Sequence, residues 1–153
     1  MSVSSATPLA IDTGAFYARA DSDDANHEIA TRLFERIRDG DLAYRPLYTT
    51  QAVLAELATL CLYKLGHAVA TRTLTAVREA TSITVLPVDR DTFETATARF
   101  ADYDDQEISF VDHTTAVLAD EHDIDHVFAF DNDFRTLGLS LIPADIDVSN
   151  ATG

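Results

Sequence analysis

Short apolar runs alternate with stretches of helical spacing along this chain, and that alternation limits its possible folds more than any other feature. Residues 9–11, 47–49, 83–88, 126–130 and 139–142 read as strands. The run 83–88 is the clearest, being β-branched with Pro87 near its end. Residues 28–38 repeat Ile29, Leu33, Phe34 and Ile37 at helical spacing, and Gly40 follows as a C′ residue. Thr50 can cap a longer helix whose apolar face runs Val53, Leu54, Leu57, Leu60 and Cys61 and ends near Gly66. Further helices are expected over 15–20 and 68–80, from Asp89 to about Phe100, and from Ser109 through Ala119. Strands that alternate with helices predict an α/β fold with a parallel sheet covered on both faces. For 153 residues one domain is expected, spanning 6–145, with frayed ends at 1–5 and 146–153.

Four carboxylates stand where these apolar runs give way to turns or helices. Asp12 follows Leu9-Ala10-Ile11, and Asp131 follows Val127-Phe128-Ala129-Phe130. Glu56 lies on the helix that Thr50 opens, and Asp112 in Ser109-Phe110-Val111-Asp112 lies at the start of another. A parallel α/β sheet gathers such positions at one edge, where its binding crevice forms. Carboxylates held together repel one another unless a hard divalent cation lies between them, and Mg²⁺ and Mn²⁺ favour oxygen ligands.

Each acid also has a plainer reading. Asp12 before Thr13-Gly14 suits a turn or an N-cap, and Glu56 suits a helix surface. Ser109 and Asp112 have the spacing of a capping box, with Asp112 at N3. Asp131-Asn132-Asp133 could be a solvated turn, and an EF-hand loop starting there fails at Thr136 and Ile142. What raises all of them is their joint occurrence at one end of a parallel sheet. The five histidines show no zinc spacing, and His113 reads as a helix-surface residue. Tyr44, Tyr48, Tyr63 and Phe93 read as packing.

Charge is the compositional outlier. The chain has 26 acids against 11 bases, a net charge of −15, and Lys64 is its single lysine. Self-repulsion of that size loosens a compact state at low salt, whereas molar salt shortens the screening length to about 3 Å. The composition is that of a protein from a salt-in halophile. Dilution below a few tenths molar salt is therefore expected to loosen the fold, and circular dichroism that stays unchanged from molar to low salt would overturn this reading. The charge argues weakly against a large nucleic-acid interface and says nothing against a small catalytic one. Cys61 stands alone, so neither a disulfide nor a cysteine-based zinc site can form within the chain. Residues 1–7 lack a signal-peptide pattern and no run approaches a membrane span, so a cytoplasmic, soluble protein is expected.

The segments Leu9-Ala10-Ile11-Asp12-Thr13-Gly14-Ala15-Phe16, Thr49-Thr50-Gln51-Ala52-Val53-Leu54-Ala55-Glu56-Leu57, Ile108-Ser109-Phe110-Val111-Asp112 and Val127-Phe128-Ala129-Phe130-Asp131-Asn132-Asp133-Phe134 together resemble the PIN-domain family. The resemblance covers about residues 8–143 and is nearest to the small stand-alone members, the VapC-type toxins of toxin–antitoxin pairs. It implies a three-layer α/β/α sandwich around a parallel sheet and Mg²⁺- or Mn²⁺-dependent RNA cleavage. Asp12, Glu56, Asp112 and Asp131 fall on the acidic motif positions, with Asp133 as an auxiliary metal ligand. One departure is Ala129, where the family often carries Thr or Ser.

By the same resemblance, Asp12, Asp112 and Asp131 would ligate metal, Glu56 would position a second metal or the attacking water, and products would carry 5′-phosphate and 3′-hydroxyl ends. The partners implied are an RNA substrate, a small antitoxin that covers the acidic cleft, and a second copy in a homodimer. The antitoxin groove is expected between the first two helices, at Phe16, Tyr17, Ile29, Leu33 and Phe34. Other readings are a stand-alone RNA-processing nuclease, a non-catalytic metal-binding or interaction module, and a phosphotransfer domain with Asp12 as nucleophile. Gly14 two residues after Asp12 and the isolation of Lys64 weaken the last.

Overall fold

The computed structural model describes residues 6–148. Its strands are β1 (Thr7–Ile11), β2 (Tyr44–Thr50), β3 (Ile83–Leu86), β4 (His126–Phe128) and β5 (Ser140–Ile142). All pair in parallel, in the order β3-β2-β1-β4-β5. The helices are α1 (Thr13–Ala20), α2 (His27–Arg38), α3 (Gln51–Leu65), α4 (His67–Glu79), α5 (Arg90–Asp102), α6 (Phe110–Glu121) and the single turn α7 (Asp133–Thr136). The chain builds outward from β1 to β3, then crosses back to place β4 and β5 on the other side of β1. The order therefore reverses between β1 and β4, where sheets of this kind leave a crevice at the strands' carboxyl ends.

Side chains alternate across the sheet, which separates two cores. Leu9 and Ile11 of β1, Phe128 of β4 and Ile142 of β5 pack with residues of α1 to α4, including Phe16, Leu33, Val53 and Leu57. The intervening Ala10, Val127 and Leu141 pack on the opposite face with Ala119 of α6 and Phe134 of α7. With both faces covered, the strands read as apolar runs rather than as an alternation of apolar and polar residues. The result is the expected three-layer α/β/α sandwich.

Local signals placed the helix starts. Thr50 Oγ1 accepts a hydrogen bond from the Val53 amide at 3.0 Å, Asp89 from the Thr92 amide at 2.9 Å and Ser109 Oγ from the Asp112 amide at 3.1 Å. Gly40 and Gly66 follow the ends of α2 and α3 with φ of +83° and +92°, where a Cβ would be strained.

Several boundaries differ from expectation. The third strand stops at Leu86 instead of 88, because Pro87 has no amide to donate and Asp89 already caps α5. The fourth strand stops at Phe128 instead of 130. Beyond it the chain turns, although the Ala129 amide still bonds the Ile142 carbonyl. The second strand begins at Tyr44, and Pro46 is accommodated where the β1–β2 register slips between Thr7↔Tyr44 and Leu9↔Leu47. The helix α7 is a single turn of 4 residues, too short for periodicity to reveal.

The expected groove between the first two helices is core. Phe16 and Leu33 are buried, the Phe16 ring stacks on Phe34 at 5.8 Å, and Phe34 tilts against Phe128 at 4.9 Å. Tyr17 is buried as well, so only Ile29 of the five residues is well exposed. The helix pair spends its apolar surface on the sheet.

Candidate active site

Asp12 ends β1 at the switch point. Its amide donates to the Phe128 carbonyl at 3.0 Å, which ties the carboxyl ends of β1 and β4 together. Thr49 Oγ1 donates to the Ile11 carbonyl at 2.9 Å from β2 on the other side. Asp12 occupies the N-cap position of α1, yet its side chain makes no capping hydrogen bond. It is 6% exposed, and its Oδ1 is buried without a hydrogen-bond partner among the described residues. Burial pushes its carboxyl up to about 6, and repulsion from Glu56 and Asp131 adds to this against a partial opposing pull from the Thr13 and Gly14 amides.

Asp112 is the third residue of α6 and is also 6% exposed. The helix cap is made by Ser109 Oγ to its amide, so the carboxylate is not needed for that role. Burial, followed by the charges of Asp12, Asp131, Glu56 and Asp133, pushes it up to about 8. Every charge named here as acting on it is another carboxylate.

Asp131 lies exposed beyond β4, and its Oδ1 accepts the Asp133 amide at 2.9 Å. That bond turns the chain so that both side chains face the same place. Asp112, Asp131 and Asp133 each offer a carboxylate oxygen, all within 4.8 Å of one another. Burial and the neighbouring Asp131 raise Asp133 above the ordinary range. Glu56, half-buried on α3, flanks the group and acts on both Asp12 and Asp112. All five sequence-predicted acids thus meet at one end of the sheet, with three of them tightly grouped.

The donor set suits a hard divalent cation. It is all oxygen, and two oxygens bound to one Mg²⁺ at about 2.1 Å are at most about 4.2 Å apart, so only a slight contraction is required. The unpartnered buried Asp12 Oδ1 is an acceptor that such an ion would satisfy.

Two neighbours escaped the sequence reading. The hydroxyls of Thr13 and Thr115 are buried without partners, the first beside Asp12 and the second three residues along α6 from Asp112. Helical spacing from Asp112 was the signal for Thr115. His113 is not a surface residue but is 1% exposed, with its ring against Tyr103 at 5.1 Å and Phe100 at 5.8 Å. Burial keeps its imidazole below the ordinary value, with Arg99 adding to the effect. Tyr63 is likewise not a packing residue, being 82% exposed, whereas Phe93, 53% exposed, packs its ring against Phe110 at 5.1 Å.

The sequence signature of the PIN domain matches residues 9–139. This chain belongs to the PIN-domain family. The 23S rRNA-specific endonuclease VapC20 of Mycobacterium tuberculosis is 32% identical over 131 residues, which cover 84% of this PIN-domain chain and 93% of that protein. The crystal structure of that sarcin–ricin loop cleaving toxin aligns at a TM-score of 0.77, with 31% identity over 86% of this chain and 95% of the other. Two further structures share the PIN fold at lower identity. VapBC2 from Rickettsia felis, bound to a DNA fragment from its promoter, has a TM-score of 0.63 at 10% identity, covering 88% of this chain and 97% of that one. FitAcB from Neisseria gonorrhoeae has a TM-score of 0.62 at 16% identity, covering 87% and 95%.

Proposed function

We infer that this PIN-domain chain is a VapC-type toxin ribonuclease that uses Mg²⁺ or Mn²⁺. The observation that carries the metal dependence is the burial of Asp12 and Asp112 beside three further acids, an arrangement whose repulsion a divalent cation relieves. A bound ion of this kind supplies Lewis acidity, lowering the pKa of water and neutralising phosphate charge. Asp12, Asp112 and Asp131 offer it carboxylate oxygens, with Asp133 auxiliary. Glu56, the least buried catalytic candidate on a helix, orients the attacking water or takes its proton at the carboxylate. Water attacks the phosphorus and the bond to O3′ breaks, with O3′ taking up a proton, so cleavage leaves 5′-phosphate and 3′-hydroxyl ends.

VapC20 acts on 23S rRNA, and a ribosomal RNA loop is the first substrate to test here. In molar KCl with Mn²⁺, cleavage is expected to leave 5′-phosphates. Asp12→Asn should lose at least about a hundredfold in rate while keeping its circular dichroism, because several kcal/mol of transition-state stabilisation depend on the site. Products ending in 2′,3′-cyclic phosphate would overturn the reading.

A small antitoxin is the expected protein partner, as the family relationship implies. A second copy is the other. Between α3, α5 and α6 lies an apolar cavity of about 820 Å³ lined by Leu60, Tyr63, Phe93 and Phe110, and Leu62 and Phe100 are also exposed nearby in sequence. Exposed aromatic surface of this kind marks an interface, and we assign the Tyr63 and Phe93 rim to a homodimer, leaving the wall that carries Glu56 to the RNA. Tyr63→Asp combined with Phe93→Asp should convert the dimer to a monomer in light scattering while preserving the fold. A wild-type monomer at tens of micromolar would rule this out. No helix among the described residues is long and apolar enough to cross a membrane, and a cytoplasmic site of action fits an rRNA substrate.

A further inference from the structure

An acidic catalytic centre must attract RNA with something other than its own charge. Of the eleven bases, Arg38, Arg99 and Arg135 are ion-paired with Asp39, Asp120 and Asp145. Arg19 lies over the Phe34 ring at 3.8 Å, Lys64 over Tyr17 at 5.6 Å, and Arg36 donates to the Val148 carbonyl. Among the described residues this leaves Arg32, Arg45, Arg72, Arg78 and Arg90 without such a partner. Arg78 alone of these lines a cavity against α3.

That cavity, of about 520 Å³, lies between α3, α4 and the sheet's edge strand β3. Leu54, Leu74 and Val85 give it apolar walls, and Gln51 and Arg78 are its polar groups. Gln51 and Ala55 also line the cavity that contains Glu56, so the two spaces meet across the first turns of α3. The Gln51 side-chain oxygen accepts the Val88 amide at 3.3 Å, which orients the group and leaves its NH₂ free to donate.

We propose that this cavity is a substrate subsite that holds one nucleotide of the RNA beside the cleavage point. The proposal rests on the ribonuclease reading above. Arg78 grips the nucleotide's phosphate with its planar fork, the base lies against Leu54, Leu74 and Val85, and Gln51 donates to a carbonyl on the base edge. The size suits the role, since small-ligand sites occupy roughly 300–1,000 Å³. In a chain of net charge −15, Arg78 is an exposed cation at the rim of a largely apolar recess that meets the Glu56 cavity, and with Lys64 of that cavity it offsets the acids' repulsion of RNA.

The test uses the full chain with a fluorescent single-stranded RNA that the wild type cuts in Mn²⁺. If the wild type cuts no RNA, the ribonuclease reading itself fails, which separates the two questions. Arg78→Ala should raise KM about tenfold with kcat within about twofold, the size expected for one charge-assisted contact. On the inert Asp12→Asn background it should also reduce the salt slope of RNA binding by about 0.7, the value for one phosphate contact on a single strand. Arg78→Lys should restore the slope and only part of the affinity. A KM and salt slope unchanged in Arg78→Ala would overturn the subsite. So would unaltered RNA binding accompanied by weakened antitoxin binding, which would give the cavity to the protein partner.

Discussion

Asp112→Asn is expected to abolish RNA cleavage and, in the same molecule, to raise the metal-free melting temperature at pH 8. The two effects share one cause. Burial, and after it the charges of four other carboxylates, pushes the Asp112 carboxyl up to about 8. Ionising it there costs free energy that the unfolded chain does not pay. Relative to an ordinary value of 3.8, the rise is about four units, and at 1.36 kcal/mol per unit the isolated cost would be about 5 kcal/mol. Coupling to Asp12 spreads part of that cost across the pair, so about 2–4 kcal/mol is expected to return when Asn removes the charge. For a chain of this size that is a rise of about 5–10 °C. Differential scanning calorimetry in EDTA measures it. The same substitution should erase most of the stabilisation that Mn²⁺ gives the wild type, since binding to the folded state is what raises that stability. A variant that melts lower than wild type in EDTA would show that the Asp112 carboxylate supports the fold instead of opposing it.

The second large effect is the dependence of metal-free stability on pH. Asp12 and Asp112 keep their protons in the folded state up to about 6 and about 8, whereas the unfolded chain releases them near 3.8. Between these values the folded state binds more protons than the unfolded one, so stability falls as pH rises. The contribution is fully present below about pH 4 and is lost progressively through pH 8. Three other carboxylates work in the opposite sense at the acid end. Asp21, Asp89 and Asp145 are held below the ordinary range by hydrogen bonds, led by Tyr17, the Thr92 amide and Arg135 respectively. Their contributions vanish as pH drops through their folded values. In EDTA and molar salt the melting temperature should therefore peak in mildly acidic solution and decline by several degrees toward pH 8. Mn²⁺ should remove most of the decline, because it stabilises the ionised forms. A melting temperature flat from pH 5 to 8 in EDTA would show that the acids are not crowded as the structure places them.

Features that depend on a few neighbouring residues were legible in the sequence. Thr50, Asp89 and Ser109 announce helix starts because a cap bonds an amide two or three positions away. The apolar runs announce strands because both faces of this sheet are covered. Asp12, Glu56, Asp112 and Asp131 were legible because each stands where a strand ends or a helix begins, in the order the PIN-domain family shares.

Which of these positions meet depends on how the chain crosses back over its sheet. The return of the chain to set β4 beside β1 brings Asp131 to Asp12, and no local pattern encodes that crossing. It also draws Asp133, expected as an auxiliary ligand, into contact range of Asp112, through a turn whose local pattern alone also suits a solvated loop. His113 and Tyr63 were misjudged for the same reason in opposite directions. Burial belongs to what packs against a residue, and α5 covers His113 while no described residue covers most of Tyr63. Helix propensity and capping act over one turn, whereas burial and charge crowding arise from elements far apart in sequence, and here they set the chemistry of the acids.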